Sequence, residues 1–213
     1  MILILYIIIG EMFSKYQYNI INETIKFVKD FMRDYDESHN FAHVIRVKDQ
    51  ATLIAIDEGL TNDDIFEIQL GALTHDINDH KYTQDLFAQE QILKEFFNDK
   101  LNKDVMFNVI EIACNISLSK ETSLKTNNII IKSKKLDCVR DADRIDSLGS
   151  IGITRYFTYG IKKNNSNVNE IINNLELRTN VLINHISTKL GKELAEKKYN
   201  LIKEFIKDYR NSI

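Results

Sequence analysis

The sequence predicts an all-α protein, on three observations. The 213 residues contain no proline, the residue that breaks helix interiors by removing a backbone donor and clashing with the preceding turn. Apolar residues recur mostly at the three- and four-residue spacing that lines one face of a helix. The alternation that marks a half-buried strand is rare, and only "NNIIIKSKK" (residues 127–135) reads as a short strand. Breaks are expected near residues 98–102, 120–128 and 162–169. These are short loops, and with no internal repeat or low-complexity tract they leave one domain.

Taken in order, the chain opens with "MILILYIIIG". Its apolar run covers residues 1–9, about half of the roughly 20 residues that a spanning helix needs. No basic segment precedes it and no small-residue cleavage site clearly follows, so it makes a poor signal peptide. Residues 1–15 are therefore expected to be an N-terminal extension packed on the domain, which spans residues 16–213, without stable insertion in a membrane. Val44, Val47, Ala51 and Ile54 share a helix face behind Ser38, an expected N-cap. "TNDDIFEIQLGALTHDI" starts with Thr61 and Asp64 in capping-box relation and continues apolar. Residues 82–98, 103–118 and 141–159 read as further helices. "VNEIINNLELRTNVLINHISTKL" and "KELAEKKYNLIKEFIKDY" read as a closing helical hairpin with Gly191 between them.

Composition narrows the function. The net charge of −3 gives no global reason to expect nucleic-acid binding, and a hydrophobic fraction of 44% is ordinary for a globular protein. Two cysteines, Cys114 and Cys138, make no disulfide framework. They point to a reducing, cytoplasmic compartment and to use as small buried hydrophobes. Seven glycines in the whole chain include no phosphate-cradling loop. No G-x-S-x-G nucleophile elbow occurs either.

The chemistry-bearing residues lie in three short stretches: "SHNFAHVIRV", "THDINDHK" and "RDADRID". Imidazole nitrogen with carboxylate oxygen suits Mn, Fe, Co, Ni or Zn. Two histidines and two carboxylates hold one divalent ion and leave positions open for water and a substrate oxygen. Arg46 follows His43 by three residues on one helix face, and Asp146 stands in the same relation to Asp143. Each stretch alone has a plainer reading. His39 and His43 read as a cap and a core histidine, His75–Asp76 as a helix C-terminus, and "DADRID" as a solvated charged face. Three such stretches in order favour a metal site.

With these flanks, the order H … HD … D resembles the HD-domain metal-dependent phosphohydrolase superfamily. More narrowly, "SHNFAHVIRV", "HDINDHK" and "DADRIDSLGSIGITRYFTYG" resemble a bacterial-type branch of predicted HD phosphohydrolases, from about Tyr16 to the C-terminus. The resemblance implies a helical bundle with one divalent metal ion (Mn, Mg, Co, Ni, Fe or Zn) between helices. It implies His43, His75, Asp76 and Asp143 as ligands, with His39 at the rim. It also implies hydrolysis of a phosphate ester or anhydride in a small phosphorylated substrate, with nucleotides a frequent class.

Within that reading Asp79 is the expected proton-transfer residue, three positions past Asp76 and beyond a helix end near Ile77. Arg46 and Lys81 are expected to hold phosphate oxygens, the first as a fork and the second as a point charge. His80 reads as part of a polar loop and His185 as a hydrogen-bonded helix residue. Two alternatives stand beside the hydrolase. One is a nucleotide-binding sensor or degenerate copy that does not turn over. The other is a di-iron oxygenase of the same bundle type. The latter needs further histidines between the HD pair and the last aspartate, and His80 is the only one there.

Overall fold

The computed structural model describes residues 12–35, 40–77, 88–126, 133–164 and 167–213. Among them every regular element is a helix, as the sequence predicts. The helices are α1 (Lys15–Phe31), α2 (Phe41–Asp57), α3 (Asn62–Thr74), α4 (Ala88–Phe97), α5 (Lys103–Cys114), α6 (Leu118–Thr126), α7 (Lys134–Asp146), α8 (Gly149–Asn164), α9 (Val168–Ile183) and α10 (Lys189–Asn211).

Most start on a side chain that accepts from the exposed first-turn amides. Ser14 with Gln17, Thr61 with Asp64 and Asn167 with Glu170 form reciprocal capping boxes. Asn102, Ser133 and Thr188 cap α5, α7 and α10 from one side only. The expected face of α2, Val44–Val47–Ala51–Ile54, is fully buried. Its N-cap is Asn40, whose side chain accepts from the His43 amide, while Ser38 lies outside the described residues.

Helix α3 is the axis of the bundle. Every residue from Ile65 to Thr74 is buried, so apolar residues surround the helix rather than forming one stripe, and the polar exceptions Glu67 and Gln69 are hydrogen-bonded to Lys135 and Thr52. It packs against α1, α2, α5 and α7, and α2 packs against α7. A Cβ on Gly71 would stand 2.5 Å from Ile112 Cγ2, so the missing side chain is what lets α3 and α5 approach. Helices α8, α9 and α10 pack on one another and reach this centre through α7, with α10 also touching α2.

Several boundaries differ from the sequence reading. The helix expected over 103–118 stops at Cys114, and α6 occupies part of the loop expected at 120–128. Of the expected strand, residues 127–132 lie outside the described residues. Lys134 and Lys135 form the first turn of α7, because Ser133 caps it. The single helix expected over 141–159 is two, broken at Ser147–Leu148, where Gly149 takes φ 68° to turn the chain. The closing hairpin turns at 184–187, not at Gly191, which sits in the first turn of α10 against Thr188 and Asp141. By contrast, Phe13, in the extension expected to pack on the domain, is buried and meets Tyr18 and Phe66 edge-on.

Candidate metal centre

Three chain segments meet at one end of the α2–α3–α7 seam. The Asn40 cap fixes His43 in the first turn of α2. His75 and Asp76 lie in the turn just past the end of α3, where the sequence led us to expect a helix end. Gln89 of α4 holds that end by donating from Nε2 to the carbonyls of Thr74 (3.2 Å) and His75 (2.7 Å), at a helix terminus where carbonyls need outside donors. Asp143 and Asp146 occupy the last turn of α7. A helix C-terminus is an unfavourable place for carboxylates, so cations must offset them.

One nitrogen of His43, one of His75 and a carboxylate oxygen of Asp143 all lie within 4.8 Å of one another. His43 Nε2 is 3.3 Å from Asp143 Oδ1, and His75 Nε2 is 3.8 Å from the same oxygen. Asp76 stands beside this group. Its Oδ2 is 3.5 Å from His43 Nε2 and its Oδ1 3.5 Å from His75 Nε2. His75 keeps helical backbone angles at the end of α3 (φ −66°, ψ −30°), so the two adjacent side chains leave the backbone in different directions and flank the centre.

Each imidazole also engages its far nitrogen. His75 Nδ1 is 2.7 Å from the Ala72 carbonyl, and His43 Nδ1 is 2.7 Å from Asp146 Oδ2. Both partners are acceptors, so in the neutral ring Nδ1 carries the proton and the Nε2 lone pair faces the centre. His75 Nε2 is buried and has no hydrogen-bond partner among the described residues. An orphaned buried nitrogen beside carboxylates is the donor set expected of a metal ligand. These residues fit a divalent ion.

The electrostatics of the metal-free cluster agree. Burial pulls His75 toward the neutral form, but Asp76 and Asp143 outweigh it and lift its pKa to about 9. Burial would raise Asp143, yet the close imidazoles of His43 and His75 hold it well below the usual carboxylate range. Without metal, imidazolium charge stands where an ion's charge would. The thiols take no part: burial pushes Cys114 up to about 11 and Cys138 to about 12, too high for a thiolate at neutral pH.

Of the expected substrate residues, Arg46 faces the cluster but is engaged. Its Nε donates to Asp146 Oδ1 at 2.6 Å and a terminal nitrogen to Oδ2 at 2.9 Å. That makes it a support for Asp146 before it is a phosphate ligand. His39, Asp79, His80 and Lys81 lie outside the described residues. His185 bonds through Nδ1 to the Val181 carbonyl at 2.9 Å, hydrogen-bonded as expected but in the turn after α9 rather than on a helix. Three residues had no role assigned from sequence: Asp146, Arg155 and Gln89. The three-residue spacing to Asp143 marks Asp146, but nothing in the sequence marks the other two, whose contacts cross between helices.

The helical bundle that gathers H … HD … D at one seam has the fold of solved HD-superfamily hydrolases. No protein-family model matches the chain. It is 26% identical over 193 residues to the Bacillus subtilis protein YpgQ, spanning 87% of this chain and 90% of YpgQ. The crystal structure of YpgQ in complex with ADP superposes with a TM-score of 0.70 at 22% identity, covering 93% of this chain and 97% of that one. An HD-superfamily hydrolase from Bacillus thuringiensis gives 0.67 at 24%, covering 92% and 97%. A predicted HD-superfamily hydrolase from an uncultured Thermotogales bacterium gives 0.62 at 20%, covering 90% and 91%.

Proposed function

We propose that the protein is a metal-dependent phosphohydrolase acting on a phosphate ester or anhydride of a nucleotide or another small phosphorylated metabolite. The observation that carries this reading is the convergence of His43, His75 and Asp143, with the buried His75 Nε2 beside Asp143 and without a hydrogen-bond partner among the described residues. Asp76 completes the set of four ligands for one divalent ion. When bound, such an ion supplies a Lewis acid that lowers the pKa of water and polarises a phosphoryl oxygen. His43 and His75 present neutral Nε2 lone pairs, with their Nδ1 protons committed elsewhere. Asp143 is half-buried, on the open side of the cluster. Asp79, three residues past Asp76, is the proposed proton acceptor or donor. His39 and Lys81 are proposed to bind the substrate, and Arg46 contributes through the terminal nitrogen not bonded to Asp146. The ADP complex of YpgQ supports a nucleotide as the first class to try.

The test is a release assay for phosphate and pyrophosphate. Metal-stripped protein is supplied with Mn, Mg, Co, Ni or Zn and offered nucleoside mono-, di- and triphosphates and phosphorylated metabolites. Turnover is expected with at least one pairing and is lost in His75→Ala. Nucleotide binding without turnover under every metal would make the protein a sensor instead. A wild-type chain that binds no divalent ion would end the reading.

A further inference from the structure

Asp146 is buried, carries no expected role, and gathers more donors than any other carboxylate described. Its Oδ2 accepts from His43 Nδ1 (2.7 Å), from a terminal nitrogen of Arg46 (2.9 Å) and from a terminal nitrogen of Arg155 (3.0 Å). Its Oδ1 accepts from Arg46 Nε at 2.6 Å. Arg155 and His43 Nδ1 stand 3.2 Å apart because both address the same oxygen. Lys198 of α10 donates to the Ile145 carbonyl at 3.3 Å, next in chain, and adds a third cation nearby.

This arrangement costs desolvation of a charged group, which is recovered only if each partner is held in place. A core that merely needed filling would be served as well by apolar side chains. What the cage achieves is directional. The two arginines fix the carboxylate in plane and position, and the carboxylate fixes the ring of His43.

The two central histidines are thus oriented by different means. His75 is held by a carbonyl of its own helix, which no substitution removes. His43 is held by an ionised carboxylate from another helix, itself clamped by Arg46 of α2 and Arg155 of α8. A carboxylate partner fixes the tautomer and makes the imidazole a stronger donor to a metal than a carbonyl does.

We propose that Asp146, braced by Arg46 and Arg155, is a positioning residue that fixes the Nδ1–H tautomer of His43 and thereby sets the affinity of the centre for its ion. This rests on the metal-site reading above. It also assigns the arginine that follows His43 to its support.

Two measurements test it, and neither needs turnover. In metal-free protein, two-bond 1H–15N spectra of the imidazoles should show His43 protonated at Nδ1. In Asp146→Ala that ring should become a tautomer mixture, while His75 keeps its pattern. Titration with Mn2+ should show affinity weakened roughly 10–100-fold in Asp146→Ala and Asp146→Asn. Asp146→Glu should recover part of the loss, and Arg155→Lys should lose less than Asp146→Ala. His43→Ala marks complete loss. If wild type binds Mn2+ and His43→Ala does not, but Asp146→Asn binds like wild type with an unchanged His43 spectrum, the positioning role is overturned and the metal site stands. If wild type itself fails to bind any of Mn2+, Co2+ or Zn2+, the metal site falls first. Should Asp146→Ala unfold, the spectrum and titration of Asp146→Asn, which keeps the shape, decide alone.

Discussion

His75 holds the most informative proton in the metal-free protein. Its pKa near 9 lies above the ordinary imidazole value of about 6.5. A group raised on folding stabilises most fully below its unfolded value and loses that contribution as pH rises through the folded one. The melting temperature of metal-free protein is therefore expected to fall between about pH 6.5 and 9. His75→Gln should flatten that slope, and an equally steep decline in the variant would assign it to another group. A metal must displace the same proton, so binding at pH 7 should release about one proton per ion at His75. Calorimetry in buffers of different ionisation enthalpy measures this. Much of the cluster was legible residue by residue, because histidine and aspartate in short, separated motifs carry their chemistry on their face. Arg155 and Gln89 were not legible. An arginine nine positions after Asp146, across a chain reversal, has no spacing that betrays its partner.

At the scale of the helices, start signals were legible and stop signals less so. Thr61 and Asp64 were readable as a capping box because both halves lie within four residues. The break at Ser147–Leu148 was hidden, since the apolar period carries through it and only Gly149 marks the turn. Gly191 misled for the opposite reason: it looks like a turn but is required by crowding inside a helix.

That crowding involves Asp141, fully buried on α7. Its carboxylate accepts from the amides of Ser187 and Thr188 and from the Thr188 hydroxyl, at 2.7–3.1 Å. It ties the α9–α10 turn to the helix that carries Asp143. Asp141→Ala leaves those donors unmatched and should cost about 3 kcal/mol in urea unfolding. A loss under about 0.5 kcal/mol would show that water replaces the carboxylate. Gly71→Ala tests the other close approach, where the new methyl meets Ile112. Overpacking there should cost roughly 1–3 kcal/mol, and an unchanged melting curve would show that α3 and α5 separate freely.

Across the whole molecule, the packed body begins before α1. Phe13 is buried against Tyr18 and Phe66, so Phe13→Ala should cost about 3 kcal/mol. A chain beginning at Met12 should match the full chain in urea unfolding more closely than one beginning at Ser14. Equal midpoints for the two shorter chains would make Phe13 a passenger. The placement of His43 early and Asp143 late has a topological consequence as well. An ion gripping both would fasten points about a hundred residues apart, closing a loop around α3 to α6 and leaving α1 on one side and α8, α9 and α10 on the other as free ends. Such a clasp is removable and is absent from the unfolded chain, so it stabilises by mass action, about 2.7 kcal/mol at a free ion concentration one hundred times Kd. Hydrogen exchange on adding Mn2+ should then slow most in α3, α5 and α7, with α1 and α9 still fraying by partial opening. Equal slowing along the chain would mean that the molecule opens only as one piece, with or without its clasp.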